Sequence, residues 1–272
     1  MNKVFDCTRL VQWCVAIATT LIIVNAPQAA GFEISPVRFE FETGAASKVL
    51  TVNNRSATES VVIQAQLLKW TQVGGEDIST PTTDLIANPP IFTIAPNSDQ
   101  IVRIGPRDPT LARHNSAELS YRILLTEIPP PPSADFRGIG MALRVSVPIF
   151  FAPNGRPDQP IPFIDAARDA DDRVEATVTN KGTKNFRISG AKLIAVADQK
   201  VLEEVTLTQY VLAGGKAKWT FKTKPASGSK YRISMQTERG ADSIDIQETP
   251  IAREQTSTPT DGEMRSNTGN KP

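Results

Sequence analysis

The chain has 272 residues, of which 30 are Lys or Arg and 29 are Asp or Glu, so its formal net charge is +1. A nearly neutral chain has no overall field that attracts nucleic acid or an anionic membrane surface, and neither is an expected partner. The hydrophobic fraction of 40% is enough for packed interiors, and the length indicates two domains of ordinary size.

The first thirty residues are interpreted as a signal peptide. Lys3 and Arg9 precede an apolar stretch, Val11–Val24, which is short for a membrane span of about 20 residues. An uncleaved membrane anchor is the alternative. With cleavage near Ala30, the mature chain begins near Gly31 and is not expected to insert into a membrane.

Both cysteines, Cys7 and Cys14, lie in this leader, so the mature chain should contain none. We therefore expect no disulfide, no zinc site and no cysteine nucleophile. Stability must come from packing, and the remaining chain is long enough for that.

After residue 30, apolar and polar residues alternate, which predicts β-strands, and no helical period is found. Turn-forming pairs such as Asn53-Asn54 and Pro89-Pro90 recur at short intervals, which is typical of an antiparallel sandwich. The first strand changes phase at Pro36, with Phe32 and Ile34 before it and Val37, Phe39 and Phe41 after it. This change indicates a bulge or a switch between sheets.

Two long strands are predicted before the domain boundary. The first runs from Tyr121 to Ile128 and ends at a proline run, and the second alternates from Ile139 to Ile149, about 35 Å at the ordinary rise of a strand. A segment rich in Pro and Gly, residues 152–157, indicates the boundary. We predict an all-β fold with immunoglobulin-like β-sandwich domains at 31–153 and 154–251, the latter with seven short strands, and a disordered tail at 252–272.

Enzyme motifs were sought and not found, so no catalytic residue and no cofactor is expected. Asp169, Asp171 and Asp172 lack the Gly and Glu of a calcium loop and are interpreted as a solvated turn. His114 lies in a polar stretch and is interpreted as a surface loop residue. No metal site is expected.

Several segments together resemble one family. They are Ile34-Ser35-Pro36-Val37-Arg38, Asn88-Pro89-Pro90-Ile91-Phe92, Gln100-Ile101-Val102-Arg103-Ile104 and Ala142-Leu143-Arg144-Val145-Ser146-Val147-Pro148-Ile149-Phe150. The chain resembles the PapD-like periplasmic chaperones of pilus assembly by the chaperone–usher route. The resemblance implies two immunoglobulin-like domains in an L-shaped arrangement, pilin subunits and an outer-membrane usher as partners, and a periplasmic location.

The resemblance also implies how a subunit is bound. A pilin that lacks its last strand exposes an apolar groove, and the chaperone fills it by lending a strand. Here the lender is Ile139 to Val147, with Ile139, Met141, Leu143 and Val145 entering the groove. The alternative is that these four side chains face the chain's own core.

Family members also hold the subunit's terminal carboxylate with two basic side chains. Arg38 matches the first of them. Pro148 stands where the second, a Lys, is usual, so the chain resembles the divergent, archaic type of these chaperones. Arg122 on the neighbouring strand is the candidate substitute, with Arg144 behind it, and a solvated arginine is the alternative.

Two other classes of function stay open from the sequence. A secreted structural or adhesive β-sandwich protein is the second candidate, although neither an N-terminal donor strand nor a subunit disulfide is found. A hydrolase on a sandwich scaffold is the third, although no nucleophile or acid–base pair can be assembled.

Overall fold

The computed structural model describes residues 31–246 except 43, 112–114, 132–136, 138, 155–158 and 227. Every regular element in these residues is a β-strand, which confirms the predicted all-β class. The leader at 1–30, the tail at 252–272 and His114 lie outside the described residues.

The chain forms two compact units. Unit 1 contains the chain up to Thr71 together with Ile78–Arg156, and unit 2 contains Gln72–Asp77 together with the chain from Pro157 onward. The predicted domain boundary, 153–154, lies beside residues 155–158, which are outside the described residues.

The first ten strands run up to residue 151, in two sheets. Their bounds are β1 Phe32–Ser35, β2 Phe39–Phe41, β3 Lys48–Asn54, β4 Val61–Val73, β5 Glu76–Pro81, β6 Leu85–Asn88, β7 Ile91–Ile94, β8 Asp99–Pro106, β9 Leu119–Glu127 and β10 Arg144–Phe151. One sheet has the order β1-β3-β8-β6. The other has the order β2-β10-β9-β4-β5, with β7 also paired to β4.

The chain changes sheets at Pro36. β1 pairs with β3 in one sheet and β2 pairs in parallel with β10 in the other, so the predicted switch between sheets is confirmed. Phe32, Phe39 and Phe41 are all buried in the core of unit 1. Val37, which the alternation grouped with them, is instead 70% exposed because it lies in the connection between the two strands.

Alternate side chains of the two facing sheets fill the core of unit 1. Along β9 these are Tyr121, Ile123 and Leu125, and along β10 they are Val147, Ile149 and Phe151. Each large apolar side chain that is fully buried contributes about 1.5–3 kcal/mol to folding. The intervening residues of β9 and β10 therefore lie on the other face of the sheet, called the outer face below.

The described residues from 159 to 246 form seven strands in two sheets. Their bounds are β11 Pro162–Arg168, β12 Val174–Asn180, β13 Phe186–Ala195, β14 Val201–Val211, β15 Lys216–Thr220, β16 Tyr231–Thr237 and β17 Gly240–Ile246. The sheets have the orders β11-β12-β15 and β14-β13-β16-β17. The sequence of β11 shows no apolar alternation and did not predict this strand, because only Ile164 of the strand is buried.

Candidate functional site

The residues expected to form the lent strand are only partly a strand in the structure. β10 begins at Arg144, so the predicted strand from Ile139 is wrong for its first five residues. These residues, 139–143, are called the exposed segment below. Ile139 is 91% exposed, Met141 80% and Leu143 39%.

The alternative that all four predicted side chains face the core is wrong for the exposed segment. Only Val145, the first core-facing residue inside β10, packs against the core of unit 1. Ile139 and Met141 present large apolar side chains to solvent in one alternating phase. Such a run of exposed apolar residues is typical of an interaction site rather than of a solvated loop.

The strand β10 is paired on one edge along its length and on the other edge only at its end. β9 pairs with residues 144–151, whereas β2 pairs only with Ile149, Phe150 and Phe151. The amide of Glu127 on β9 donates to the carbonyl of Leu143 at 2.9 Å. Because backbone groups alternate along a strand, those of Arg144 and Ser146 point to the opposite edge, for which the described residues supply no strand partner.

Arg38 lies on the outer face, just before β2. Its guanidinium Nη2 is 2.8 Å from Oε1 of Glu40, and its side chain is 20% exposed. The Cζ atom of Arg38 lies 4.9 Å from the centroid of the Phe150 ring. An aromatic ring at this distance attracts a cation through its quadrupole.

Arg122 lies on the same face, one strand beyond β10. Its Cζ atom is 3.5 Å from the centroid of the Trp70 ring, and its side chain is half-buried. The expectation of a solvated arginine therefore does not describe Arg122. Pro148 is the register partner of Arg122 across β9 and β10.

The two arginines belong to one row of side chains across the outer face. The ring centroids of Trp70 and Phe150 are 6.0 Å apart, so the order of contacts is Arg38, Phe150, Trp70, Arg122, which is called the arginine row below. Arg144 is not in these contacts. It lies exposed at the start of β10, in register with Thr126.

In the aspartate turn, the carboxylate of Asp169 is occupied by hydrogen bonds within the turn. Oδ1 of Asp169 accepts hydrogen bonds from the amides of Asp171 and Arg173, and Oδ2 accepts one from Nε of Arg173 at 2.8 Å. Desolvation acts to raise the pKa of Asp169, but these hydrogen bonds outweigh it and lower the pKa. Among the described residues, no group of three or more His, Cys, Asp or Glu side chains could hold a metal ion.

No helix in the described part of the chain is long and apolar enough to cross a membrane.

A known family model matches the part of the chain that contains most of unit 1. The model of the PapD N-terminal domain, described as a pili and flagellar-assembly chaperone, matches residues 31–157. Residues 31–157, called the PapD-type domain below, match this family. The PapD-type domain includes both the exposed segment and the arginine row.

Two curated relatives of the chain are chaperones by name. Chaperone protein LpfB of Salmonella typhimurium is 29% identical over 150 residues, which are 54% of this chain and 60% of that protein. Probable fimbrial chaperone LpfB of Escherichia coli O157:H7 is 28% identical over 143 residues, which are 52% of this chain and 58% of that protein. The chain thus spans about three-fifths of the length of these relatives.

Solved structures are similar beyond the PapD-type domain. The CsuC–CsuE chaperone–subunit complex from the archaic Csu pili of Acinetobacter baumannii matches with a TM-score of 0.62 at 21% identity, covering 81% of this chain and 100% of that chain. The SafA pilin–SafB chaperone complex of Salmonella enterica matches with a TM-score of 0.53 at 14% identity, covering 81% and 99%. These likenesses show the fold, and they confirm the predicted pair of immunoglobulin-like β-sandwiches.

The two aromatic residues of the arginine row, Phe150 and Trp70, were not predicted from the sequence. Phe150 occupies the polar phase of the β10 alternation, and Trp70 lies at the far end of β4, outside the apolar phase that ends at Leu67. Both are nevertheless buried, Trp70 to 2% exposed and Phe150 to 1%. An aromatic residue in the polar phase of a strand was the available signal for a second packed face.

Proposed function

We propose that this protein is a periplasmic chaperone that binds pilin subunits by lending them a β-strand and delivers them to an outer-membrane usher. The PapD-type domain and its fimbrial relatives support the class of protein. One observation carries the mechanism: the exposed segment continues directly into the edge of β10 for which the described residues supply no strand partner. The mature protein would begin near Gly31, after loss of the leader.

The exposed segment supplies the side chains of the lent strand. When Ile139, Met141 and Leu143 enter the groove of an incomplete subunit, each moves from water into an apolar pocket. Full burial of such side chains contributes about 1.5–3 kcal/mol each. The same burial covers the groove, so the subunit no longer exposes a surface that promotes aggregation.

The free edge of β10 supplies the backbone hydrogen bonds. A strand of the subunit that pairs with Arg144 and Ser146 extends the sheet of the PapD-type domain by one strand. Pro148 ends this ladder, because a proline has no amide hydrogen to donate. The lent strand therefore works from Ile139 to about Val147.

The arginine row supplies the charge for the subunit's terminal carboxylate. Arg122 lies on β9 and Arg38 immediately precedes β2, the two strands that pair with β10, and Pro148 is the register partner of Arg122. A carboxylate bound by two guanidinium groups gains charge-assisted hydrogen bonds, which are about twice as strong as neutral ones. We propose Arg38 and Arg122 as the anchor, in place of the lysine that the family carries where Pro148 stands.

The lent strand is tested by placing a charge in the groove. We expect Met141→Glu and Leu143→Glu to fold normally and to lose the subunit, because a carboxylate in a dry pocket costs several kcal/mol. Ala142→Glu is the matched control, since its side chain lies in the opposite phase of the same segment. The measurement is co-purification with the subunit from periplasmic extracts, which also reports the location.

Undiminished subunit yield with both charged variants would show that the segment is not lent. Equal loss with Ala142→Glu would show that any charge here is disruptive and that the predicted phase is wrong. Thermal unfolding of each purified variant separates loss of binding from loss of folding.

The anchor is tested in the same co-purification. We expect Arg38→Ala and Arg122→Ala each to abolish stable complexes, and the double variant to be little worse than either single one, because the two residues hold one carboxylate. Arg144→Ala is the control. Normal complexes with Arg122→Ala and lost complexes with Arg144→Ala would transfer the role to Arg144, and normal complexes with Arg38→Ala would remove the anchor altogether.

A further inference from the structure

Two large aromatic side chains are buried on the outer face of the sheet, away from the core. Trp70 and Phe150 are 2% and 1% exposed, yet neither belongs to the packed core of unit 1. Their ring centroids are 6.0 Å apart with an angle of 40° between the planes. They form a small aromatic layer of their own on the face that carries the arginines.

Each ring of this layer contacts one guanidinium group. The Cζ atom of Arg122 is 3.5 Å from the centroid of Trp70, which is van der Waals contact with the ring face. The Cζ atom of Arg38 is 4.9 Å from the centroid of Phe150. The layer therefore couples the two arginines through continuous side-chain contact, although Arg122 belongs to β9 and Arg38 precedes β2.

We propose that Trp70 and Phe150 form an aromatic seat that positions the guanidinium groups of Arg122 and Arg38 for one chain-terminal carboxylate. Trp70 is the principal positioning residue, because its ring makes the shorter contact. This inference rests on the proposed function and adds to it which residues orient the anchor. It also makes the anchor a site for a planar carboxylate rather than for any anion.

The geometry of a stacked guanidinium explains the requirement for arginine. When one planar face lies on a ring, the N–H groups still point outward in the plane, where two of them can meet the two oxygens of a carboxylate. The ring also excludes water from that side, which strengthens the charge-assisted bonds. A lysine ammonium at the same position has no plane to stack and would not be oriented by Trp70.

A purely structural role for Trp70 predicts a different result. If the ring only fills the outer face, its loss should weaken folding and all client binding alike, whatever the chemistry of the client's last residue. If the ring positions Arg122, its loss should act on carboxylate recognition specifically. The two roles are separated by a probe with and without a terminal carboxylate.

The probe is a short acetylated peptide of alternating valine and threonine, made with a free C-terminal carboxylate and with a C-terminal amide. Binding of both forms is measured by calorimetry to the mature wild-type protein and to the variants Trp70→Leu, Trp70→Phe, Arg122→Lys and Leu124→Ala. Leu124→Ala is the matched control, because it removes a buried apolar side chain from the same face of β9. Thermal unfolding checks that each variant is folded.

We expect the wild-type protein to prefer the carboxylate form by about tenfold, the effect of a hydrogen bond to a charged group. Trp70→Leu and Arg122→Lys should lose most of this preference, Trp70→Phe should keep a reduced part of it, and Leu124→Ala should keep it in full. Trp70→Phe remains informative if Trp70→Leu does not fold, because a smaller ring should retain a reduced but measurable preference.

Each other outcome overturns a defined claim. A full preference in folded Trp70→Leu overturns the seat and leaves the anchor intact. Equal wild-type affinity for the two peptides overturns both the anchor and the seat but not strand lending. Absence of wild-type binding to either peptide contradicts the proposed function, and the seat with it.

Discussion

At the scale of single residues, Tyr121 is the side chain whose chemistry is most altered by the fold. It is 1% exposed, and its hydroxyl donates a hydrogen bond to Oδ2 of Asp84 at 2.9 Å. Burial, and then the hydrogen bond and charge of Asp84, raise the pKa of Tyr121 well above its ordinary value. The folded protein therefore favours the neutral phenol.

This shift predicts a loss of stability in alkali. An unfolded tyrosine ionises near pH 10, so the contribution of Tyr121 is complete below about pH 10 and falls as the pH rises beyond it. Tyr121→Phe should lower the free energy of unfolding by about 1–3 kcal/mol at pH 7, because it leaves the Asp84 carboxylate without this donor. Urea unfolding of both proteins between pH 7 and 11 measures the difference, which should shrink above pH 10. A difference that stays constant over that range would contradict the assignment.

At the scale of strands and turns, one buried asparagine closes a turn at the end of β3. Asn54 is 0% exposed, and its Nδ2 donates to the carbonyls of Glu59, Ile94 and Ala95 at 2.8, 3.1 and 3.1 Å. Its Oδ1 accepts a hydrogen bond from the amide of Ser56 at 2.9 Å. The side chain thus satisfies backbone groups of two turns at once.

Unit 2 repeats the arrangement at the end of β12. Asn180 is also 0% exposed, and its Nδ2 donates to the carbonyls of Lys184 and Val211 at 2.7 and 3.2 Å. Its Oδ1 accepts from the amides of Ile161 and Gly182 at 3.1 and 2.9 Å. Both units therefore end a core strand with an asparagine that replaces missing backbone partners.

Removing either asparagine should destabilise its own unit. Asn54→Leu and Asn180→Leu each leave several buried backbone groups without a partner, at about 1–3 kcal/mol for each such group. Thr179→Val is the control, since the neighbouring residue on the other face should change stability by less than about 0.5 kcal/mol. Calorimetry measures the loss. An unfolding temperature of Asn180→Leu equal to that of Thr179→Val would show that the turn does not depend on the side chain.

Many strands could be predicted from the sequence because the burial of alternate side chains leaves an alternating pattern of apolar and polar residues. In β9 and at the first sheet switch, apolar residues alternate where one face meets the core, and the structure follows that alternation except at Val37. The same pattern continued through Ile139 and Met141, where no core exists to receive them. An alternation of apolar and polar residues indicates that one face of the strand packs against apolar groups. It does not distinguish a partner in the same molecule from a partner in another molecule.

The candidate site was predictable only in part for a related reason. Arg38 could be selected from the sequence because it matches a family position, and Arg122 because it lies on the strand next to the predicted lent strand. Their contacts with Phe150 and Trp70 depend on which strands become neighbours, and β4, β9 and β10 are brought together by pairings between residues far apart in the chain. Asn54 was visible as a turn residue, but its hydrogen bonds to distant carbonyls were not.

At the scale of the whole molecule, stability comes from two separate hydrophobic cores. One core is formed by residues of unit 1 and the other by residues of unit 2, with aromatic side chains at the centre of each. The described residues contain no cysteine, since both cysteines precede residue 31. Each unit therefore depends on its own packing and on its own buried polar contacts, and a substitution in one core acts on that unit first.

The start of β10 at Arg144 has a thermodynamic consequence for a chaperone that lends the exposed segment. If the segment is lent, residues 139–142 adopt a fixed strand backbone when a client binds, and such ordering costs about 1–2 kcal/mol for each residue. Leu143 is already held by its hydrogen bonds to Glu127. Part of the binding free energy is therefore consumed by the lender itself. A competing strand that fills the same groove and is already ordered does not lose this conformational entropy, so it binds the client more tightly by that amount. Transfer of the client to that strand can therefore have a favourable free energy without any input of chemical energy.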